Sequence, residues 1–340
     1  MNDQGFSGET EYDPHSISSL LVRITYMYYI DGETQETIGT RLGISRQKVQ
    51  RLLKQAHTQG IVEIRIVPSP DETIPIASEI KSRFNLQEVR VAPAHPNLTA
   101  QRRAVAQEAA SFLELFIKDR MVIAVGMGSN TGEIPNFLQP KRGVDCTFVP
   151  AIGGSPSVEL DVNSNEICRN LAMKFGGKAE MLYAPAFVES TEMRNLLVKQ
   201  ETVRQTLELA AQADCAIIGI GGTDDNCTLV RSGCFSVREI RQLRKNNAVG
   251  DFLGNYFDIY GNIIPSELYG RLIGLTLSDL KRINNNICVV SEPYKATSIL
   301  GALRSGIVCN LILDANNAHK ILELNELYPC DGNPIPTDNP

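Results

Sequence analysis

The sequence predicts an α/β protein in two parts, an N-terminal winged helix-turn-helix followed by a Rossmann-like α/β domain. Three observations carry that expectation. Residues 35–54, QETIGTRLGISRQKVQRLLK, have the spacing of two short helices crossed at a tight turn. A Pro-rich stretch follows, with Pro68, Pro70 and Pro75 beside Asp71 and Glu72. Beyond it, continuous apolar runs alternate with helical patterns, which is the signature of strands covered on both faces by helices.

Taken in order, residues 1–15 are polar and acidic and read as a disordered lead. Residues 16–30 form a strongly apolar helix that ends at Asp31-Gly32. Thr34 is placed to cap the next helix, and Gly43 to close it in a left-handed conformation. Ser45 caps the second helix of the pair, which carries Arg46, Lys48, Arg51 and Lys54 and no acid. Ile38, Leu42, Ile44, Val49, Leu52 and Leu53 face inward. Ser45, Arg46, Gln47, Lys48, Gln50, Arg51 and Lys54 are left outward, as a helix laid in a major groove requires. Arg and Gln read base edges there, and Lys holds phosphates. Gly60 closes that helix, and IVEIRIV (61–67) alternates as a strand, making a wing. The expected domains are therefore 16–67, a linker at 68–75, and a second domain over 76–330.

In that second domain the strand-like runs are EVRVAP, MVIAVGMG, CTFVPAIGG, AEMLYAPAFV, CAIIGIGG, NICVVSEP and IVCNLILD. Segments such as NEICRNLAMKFGG and KATSILGALRSG have helical spacing and glycine stops between them.

Charge is distributed unevenly. The whole chain of 340 residues carries −6, yet residues 16–67 hold seven Lys/Arg against four Asp/Glu. A basic head on an acidic body suits selective rather than indiscriminate binding of a polyanion. The eight cysteines include no CxxC pair, so neither a zinc site nor a disulfide framework is expected, and no metal. The N-terminus lacks the basic start and apolar core of a signal peptide, and no apolar run is long enough to span a membrane. A cytoplasmic protein is the expectation.

Three strand-like runs end in glycine clusters: Gly126-Met127-Gly128-Ser129-Asn130-Thr131, Gly153-Gly154-Ser155 and Gly221-Gly222-Thr223. In a parallel sheet the C-terminal strand ends share one edge, where ligands bind. Glycine lets backbone amides approach an anion, and Ser129, Asn130 and Thr131 add side-chain donors. The spacing fits neither a dinucleotide fingerprint nor a P-loop, so no nucleotide cofactor is expected. GDFLGNYFDIYGN places Asp251 and Asp258 around Gly254, where an Asp either accepts sugar hydroxyls or staples the loop by turn chemistry, and Lys295 opens a helix after NICVVSEP, where it either meets a phosphate or stands as a solvated lysine.

These pieces together resemble the SorC family of bacterial sugar-responsive transcription regulators. The matching segments are the head through EIRI, GMGSNT, AIGG, GDFLGNYFDIYGN and SEPYKATSILGALRSGIVCNLILDANNA, in family order over residues 18–324. The resemblance implies that the large domain has the fold of sugar-phosphate isomerases and glucosamine-phosphate deaminases, used as an effector sensor in a homotetramer. It implies a phosphate cradle at Gly126, Gly128, Ser129, Asn130 and Thr131, with Gly153 and Gly154 beside it. Asp251 resembles the family's sugar-contacting aspartate and Lys295 its pocket lysine, with Asn165 opening the helix after the second loop. Ser129-Asn130 departs from the family pattern, where many members carry a bulkier aromatic and a different polar residue.

The partners expected are double-stranded operator DNA, a sugar or sugar-phosphate effector, and other copies of the chain. The alternative is an isomerase- or deaminase-like enzyme with an appended head. Such an enzyme needs a paired acid and base. None of His15, His57, His95 and His319 falls in a glycine loop, and no acid is paired with Asp251 in sequence.

Overall fold

The computed structural model describes residues 17–59, 61–62, 70–156 and 163–329. The chain divides into a unit ending at Pro68 and a larger one beginning at Ser69.

The first unit holds α1 (Ile17–Tyr29), α2 (Gln35–Leu42) and α3 (Arg46–Thr58). Each boundary has a local cause. Thr34 Oγ1 accepts the amide of Thr37 at 3.1 Å, and Ser45 Oγ accepts that of Lys48 at 3.2 Å. Gly43 closes α2 at φ 66°, in the left-handed region. Leu21, Ile24, Ile38, Val49, Leu52 and Leu53 bury together. Gly39 permits the crossing, because a Cβ there would lie 2.8 Å from the Ile44 carbonyl oxygen. The expected lead at 1–15, Gly60 and most of the wing strand lie outside the described residues.

The second unit contains α4 (Pro70–Arg83), β1 (Glu88–Ala92), α5 (Leu98–Phe116), β2 (Val122–Val125), α6 (Ser129–Glu133), β3 (Thr147–Pro150) and α7 (Ser164–Phe175). After these come β4 (Lys178–Ala179), α8 (Thr191–Leu197), α9 (Glu201–Ala211), β5 (Cys215–Gly219), β6 (Gly221–Gly222), α10 (Thr228–Arg231) and α11 (Val237–Lys245). The chain then forms β7 (Gly250–Phe252), β8 (Asn255–Phe257), α12 (Leu277–Arg282), β9 (Asn286–Val289), α13 (Ala296–Arg304), β10 (Asn310–Asp314) and α14 (Ala315–Leu327). Seven strands make a parallel sheet in the order β1-β10-β9-β5-β2-β3-β4. A smaller antiparallel sheet, β6-β7-β8, stands beyond the end of β5.

Alternate residues of each central strand feed two cores. Ile123, Val125, Ile217, Ile287 and Val289 pack on one face, whereas Ala124, Ala216, Ile218 and Cys288 pack on the other. Burial on both faces is why these strands read as unbroken apolar runs.

Two expectations are corrected. Residues 70–75 are not an open linker but the opening turns of α4, which Pro70 can begin because an N-terminal helical position needs no amide donor. The run AEMLYAPAFV supplies only Ala179 to a strand. Farther along, Asn165 takes both backbone groups of Leu182, at 2.8 and 3.1 Å. Isolated bridges then join Pro185 to Gly154 and Phe187 to Leu272. Strand-like composition therefore serves a packed edge segment there rather than a ladder.

Candidate functional site

Two sites emerge, one in each unit. In the head, α3 buries Val49, Leu52, Leu53 and Ala56. Arg46, Gln47, Lys48, Gln50, Arg51 and Lys54 are all exposed, and so is the capping Ser45. The structure thus brings every expected DNA-reading residue to the solvent side of one helix.

In the larger unit, the three central strands β2, β5 and β9 deliver their C-terminal ends side by side. The loop after β2 carries Gly128–Thr131, the turn after β5 carries Ile220–Gly222, and the exit of β9 carries Ser291–Lys295. The β7–β8 hairpin lays Asp251 against them. Together they enclose a cavity of about 40 Å³ lined by Gly128, Asn130, Gly221, Asp251, Glu292 and Lys295 among others. On the far side of Gly222 and Lys295 a wider cleft of about 920 Å³ opens, with Arg244, Asp258, Tyr260 and Tyr294 in its walls.

Lys295 is 7% exposed, and its Nζ donates to the Ile220 carbonyl at 2.8 Å and to Glu292 Oε2 at 3.0 Å. An ammonium has three donors, so one remains for a ligand. Glu292 Oε2 also accepts from Asn130 Nδ2 at 2.9 Å, and Arg102 lies 3.7 Å from its Oε1. Burial pushes the Glu292 carboxyl up, but Lys295, Asn130 and Arg102 outweigh it and hold it at about 2. The Glu292 carboxylate is therefore held ionised in this buried contact.

Asp251 is in a different position. Burial raises its carboxyl to about 6, against the pull of the Gly254 amide and the Lys295 charge. Its Oδ2 accepts that amide at 2.7 Å, while Oδ1 lies where a Cβ on Gly221 would sit, only 1.7 Å away. Gly221 has no side chain because the Asp251 carboxylate occupies that space. The hairpin turn itself needs Leu253 at φ 52° and Gly254 at φ 82°.

Asn130 and Thr131 use side-chain donors inside the protein, to Glu292 and to the Gly128 carbonyl, whereas Ser129 is engaged there as an acceptor. Asn130 Oδ1 accepts from Ser291 Oγ at 2.5 Å, Thr131 Oγ1 donates to the Gly128 carbonyl at 2.9 Å, and Ser129 Oγ accepts from Arg231 Nη2 at 3.1 Å. Beside the Ser129 hydroxyl the loop presents backbone: the first amides of α6 have no acceptor within the helix. Gly126 lies deeper, where a Cβ would meet Leu253 Cδ2 at 2.9 Å.

Gly153, Gly154 and Asn165 do not line this cavity. A Cβ on Gly153 would fall 2.4 Å from the Pro185 carbonyl oxygen, so this glycine serves a close backbone crossing. The Gly154 amide donates to Ala184, and Asn165 braces Leu182. Glu292, Ser291 and Arg231 were missed from sequence. A signal for Glu292 existed in its spacing of three from Lys295 at a strand exit; Arg231 sits on a short helix with no pattern to mark it. Among the described residues, no cluster of three or more His, Cys, Asp or Glu is placed to hold a metal, and no helix is long and apolar enough to cross a membrane.

A profile of the sugar-binding-domain family matches residues 69–323. The chain belongs to that family. The transcriptional regulator LsrR of Escherichia coli K12 is 30% identical over 330 residues, covering 95% of this chain and 99% of its own length. The sugar-binding domain of a transcriptional repressor from Vibrio fischeri superposes with a TM-score of 0.70 at 34% identity, over 75% of this chain and all of that one. The full-length sorbitol operon regulator SorC of Klebsiella pneumoniae gives a TM-score of 0.71 at 24% identity, over 89% of this chain and 98% of that one. That likeness, which spans head and body, carries the fold of both. The resemblance to SorC- and DeoR-type transcriptional regulators read from the sequence therefore holds, and the enzyme alternative finds no support among these relatives.

Proposed function

We propose that this protein is a sequence-selective DNA-binding regulator of a carbohydrate operon, switched by a sugar or sugar phosphate bound in its α/β domain. The observation that carries the reading is the convergence of Lys295, Asp251 and the Gly128–Thr131 amides at the ends of β2, β5 and β9. A buried cation with an unused donor suits an anionic group, and a buried carboxylate suits sugar hydroxyls. The wider cleft beyond Gly222 gives the rest of such a ligand room. In this reading Gly126, Gly153, Gly154 and Asn165 shape the surroundings without touching the effector.

The head acts on double-stranded operator DNA through Ser45, Arg46, Gln47, Lys48, Gln50, Arg51 and Lys54. Copies assemble, as a tetramer by the family resemblance, so that paired heads read half-sites about one helical turn or a multiple apart. The protein works in the cytoplasm, without cofactor or metal, and performs no catalysis. A difference of a few kcal/mol in effector affinity between two arrangements of subunits suffices to change operator binding.

The test is selection of operator duplexes from a random library with the full chain, followed by titration with sugar phosphates and their free parents. Release or tightening by one compound class, with that compound recovered unchanged, supports the reading. Turnover of the compound would instead favour the isomerase or deaminase alternative.

A further inference from the structure

The proposed effector site has a cation at its centre, and the protein already supplies that cation with an anion. Lys295 Nζ stands 3.0 Å from Glu292 Oε2, and the same oxygen accepts from Asn130 Nδ2 at 2.9 Å. Both charged residues are buried in the segment that leaves β9. The Glu292 carboxylate therefore sits where an anionic ligand of Lys295 and Asn130 would sit. Arg102, 3.7 Å from Glu292 Oε1, faces the same group.

The charge of the surrounding walls points the same way. Among the described residues lining the small cavity and the wide cleft, Asp224, Asp251, Asp258 and Glu292 stand against Lys295 and Arg244 alone. Arg244 is itself paired with Asp225. Arg231 reaches Ser129, but it is exposed, where water and salt screen its charge. A phosphate dianion offers only acceptors, so it bonds none of these carboxylates and is repelled by each that is ionised. A hydroxyl donates as well as accepts. It can give its proton to Asp224 or Asp251 and take the unused donor of Lys295. The cleft adds the Thr223 and Thr297 hydroxyls, and the half-exposed rings of Tyr260 and Tyr294 for the C–H faces of a sugar.

We infer that Glu292 is a built-in anion that selects an uncharged effector, a free sugar or polyol rather than its phosphate ester. The inference rests on the effector site proposed above and narrows its ligand. Taken alone, the unused Lys295 donor suits an anion; with Glu292 beside it, that donor meets a hydroxyl or carbonyl oxygen.

The test follows thermal melting of the unaltered full chain and of Glu292→Gln. Each is melted with millimolar inorganic phosphate, against sodium chloride of equal ionic strength. Each is also melted with aldoses, ketoses and polyols, every compound beside its terminal phosphate ester. A free sugar or polyol is expected to raise the melting temperature of the unaltered chain by about 5 °C or more at saturation, while esters and inorganic phosphate do not. Glu292→Gln keeps an acceptor for Asn130 but leaves the Lys295 charge unanswered, so inorganic phosphate should protect the variant and not the unaltered chain. Circular dichroism establishes that the variant remains folded, and the comparison of each sugar with its ester needs no variant. Protection of the unaltered chain by esters or by inorganic phosphate overturns the proposal; an ester that also shifted operator affinity would leave the regulator standing. A folded Glu292→Gln no more responsive to phosphate than the unaltered chain overturns it as well. Silence from every compound, with operator affinity unmoved, would remove the effector reading and this inference with it.

Discussion

Lys295 and Glu292 form a buried ion pair that poses a stability problem, and the proposed function gives its lysine to the ligand. Removing one partner leaves the other charged and unpaired, at roughly 3 to 5 kcal/mol. Lys295→Met is therefore expected to lower the urea midpoint sharply and to abolish effector binding. Pairing it with Glu292→Gln should recover most of the stability and none of the binding. If the double variant bound the effector normally, Lys295 would not be the ligand's cation. Asp251 and Glu292 also make opposite contributions with pH. Glu292, held at about 2, adds stability that is present above its ordinary range and fades as pH falls toward 2. Asp251, raised to about 6, favours the folded state when protonated, so its contribution is lost as pH rises from about 4 through 6. Asp251→Asn removes the second effect. Relative to the unaltered chain, it should gain on the order of 2 to 3 kcal/mol in urea stability between pH 4 and pH 8. Parallel pH profiles would show that Asp251 is not the group that titrates. Lys295 was legible in sequence because it opens a helix after an apolar strand, and Asp251 because it stands beside the turn at Gly254. Glu292 and Arg231 were not, because their roles depend on loops that are neighbours only after the sheet assembles.

Among the elements, capped helices and buried strands were read closely from sequence, since their causes are local. Thr34, Gly43 and Ser45 do what their residue types suggest. The failures have non-local causes. Pro-rich composition at 68–75 looked like linker, yet α4 starts at Pro70. Strand-like residues at 179–188 found no neighbouring ladder beyond β4. Glycines divide the same way: Gly43 is set by its own backbone, whereas Gly39 and Gly254 are set by what lies against them. A Cβ at Gly254 would come 2.4 Å from Phe187 Cζ, in a residue already at positive φ. Gly39→Val should break the α2–α3 crossing and abolish DNA binding, leaving the body's melting and its effector shift untouched. A calorimetric trace in which both transitions fell together would contradict the independence of the two units. Gly254→Ala should do the converse, costing roughly 1 to 3 kcal/mol of body stability through overpacking and displacing Asp251.

At the scale of the whole molecule, a basic reading helix and an acidic sensor domain divide two tasks. Arg46→Ala or Gln47→Ala should relax base preference at one or two operator positions. Lys54→Ala should instead weaken binding to all sequences alike and reduce the slope of log affinity against log salt by about 1. A change of sequence preference in Lys54→Ala would mean that this lysine reads bases. The two-part architecture was visible in the switch from crossed-helix spacing to alternating strands and helices. The larger cleft beside Lys295 was not, because its walls come from residues as distant as Arg244 and Tyr294.

The most direct test of an effector-controlled regulator is fluorescence anisotropy of the full chain on a selected operator. It would be titrated with whichever sugar or sugar phosphate most stabilises the protein to heat; at a hundred times its dissociation constant that ligand adds about 2.7 kcal/mol. The expected result is a shift in operator affinity of tenfold or more, absent in the Lys295→Met, Glu292→Gln double variant. A ligand that stabilises the protein yet leaves operator affinity unchanged, or moves the double variant equally, would contradict the account.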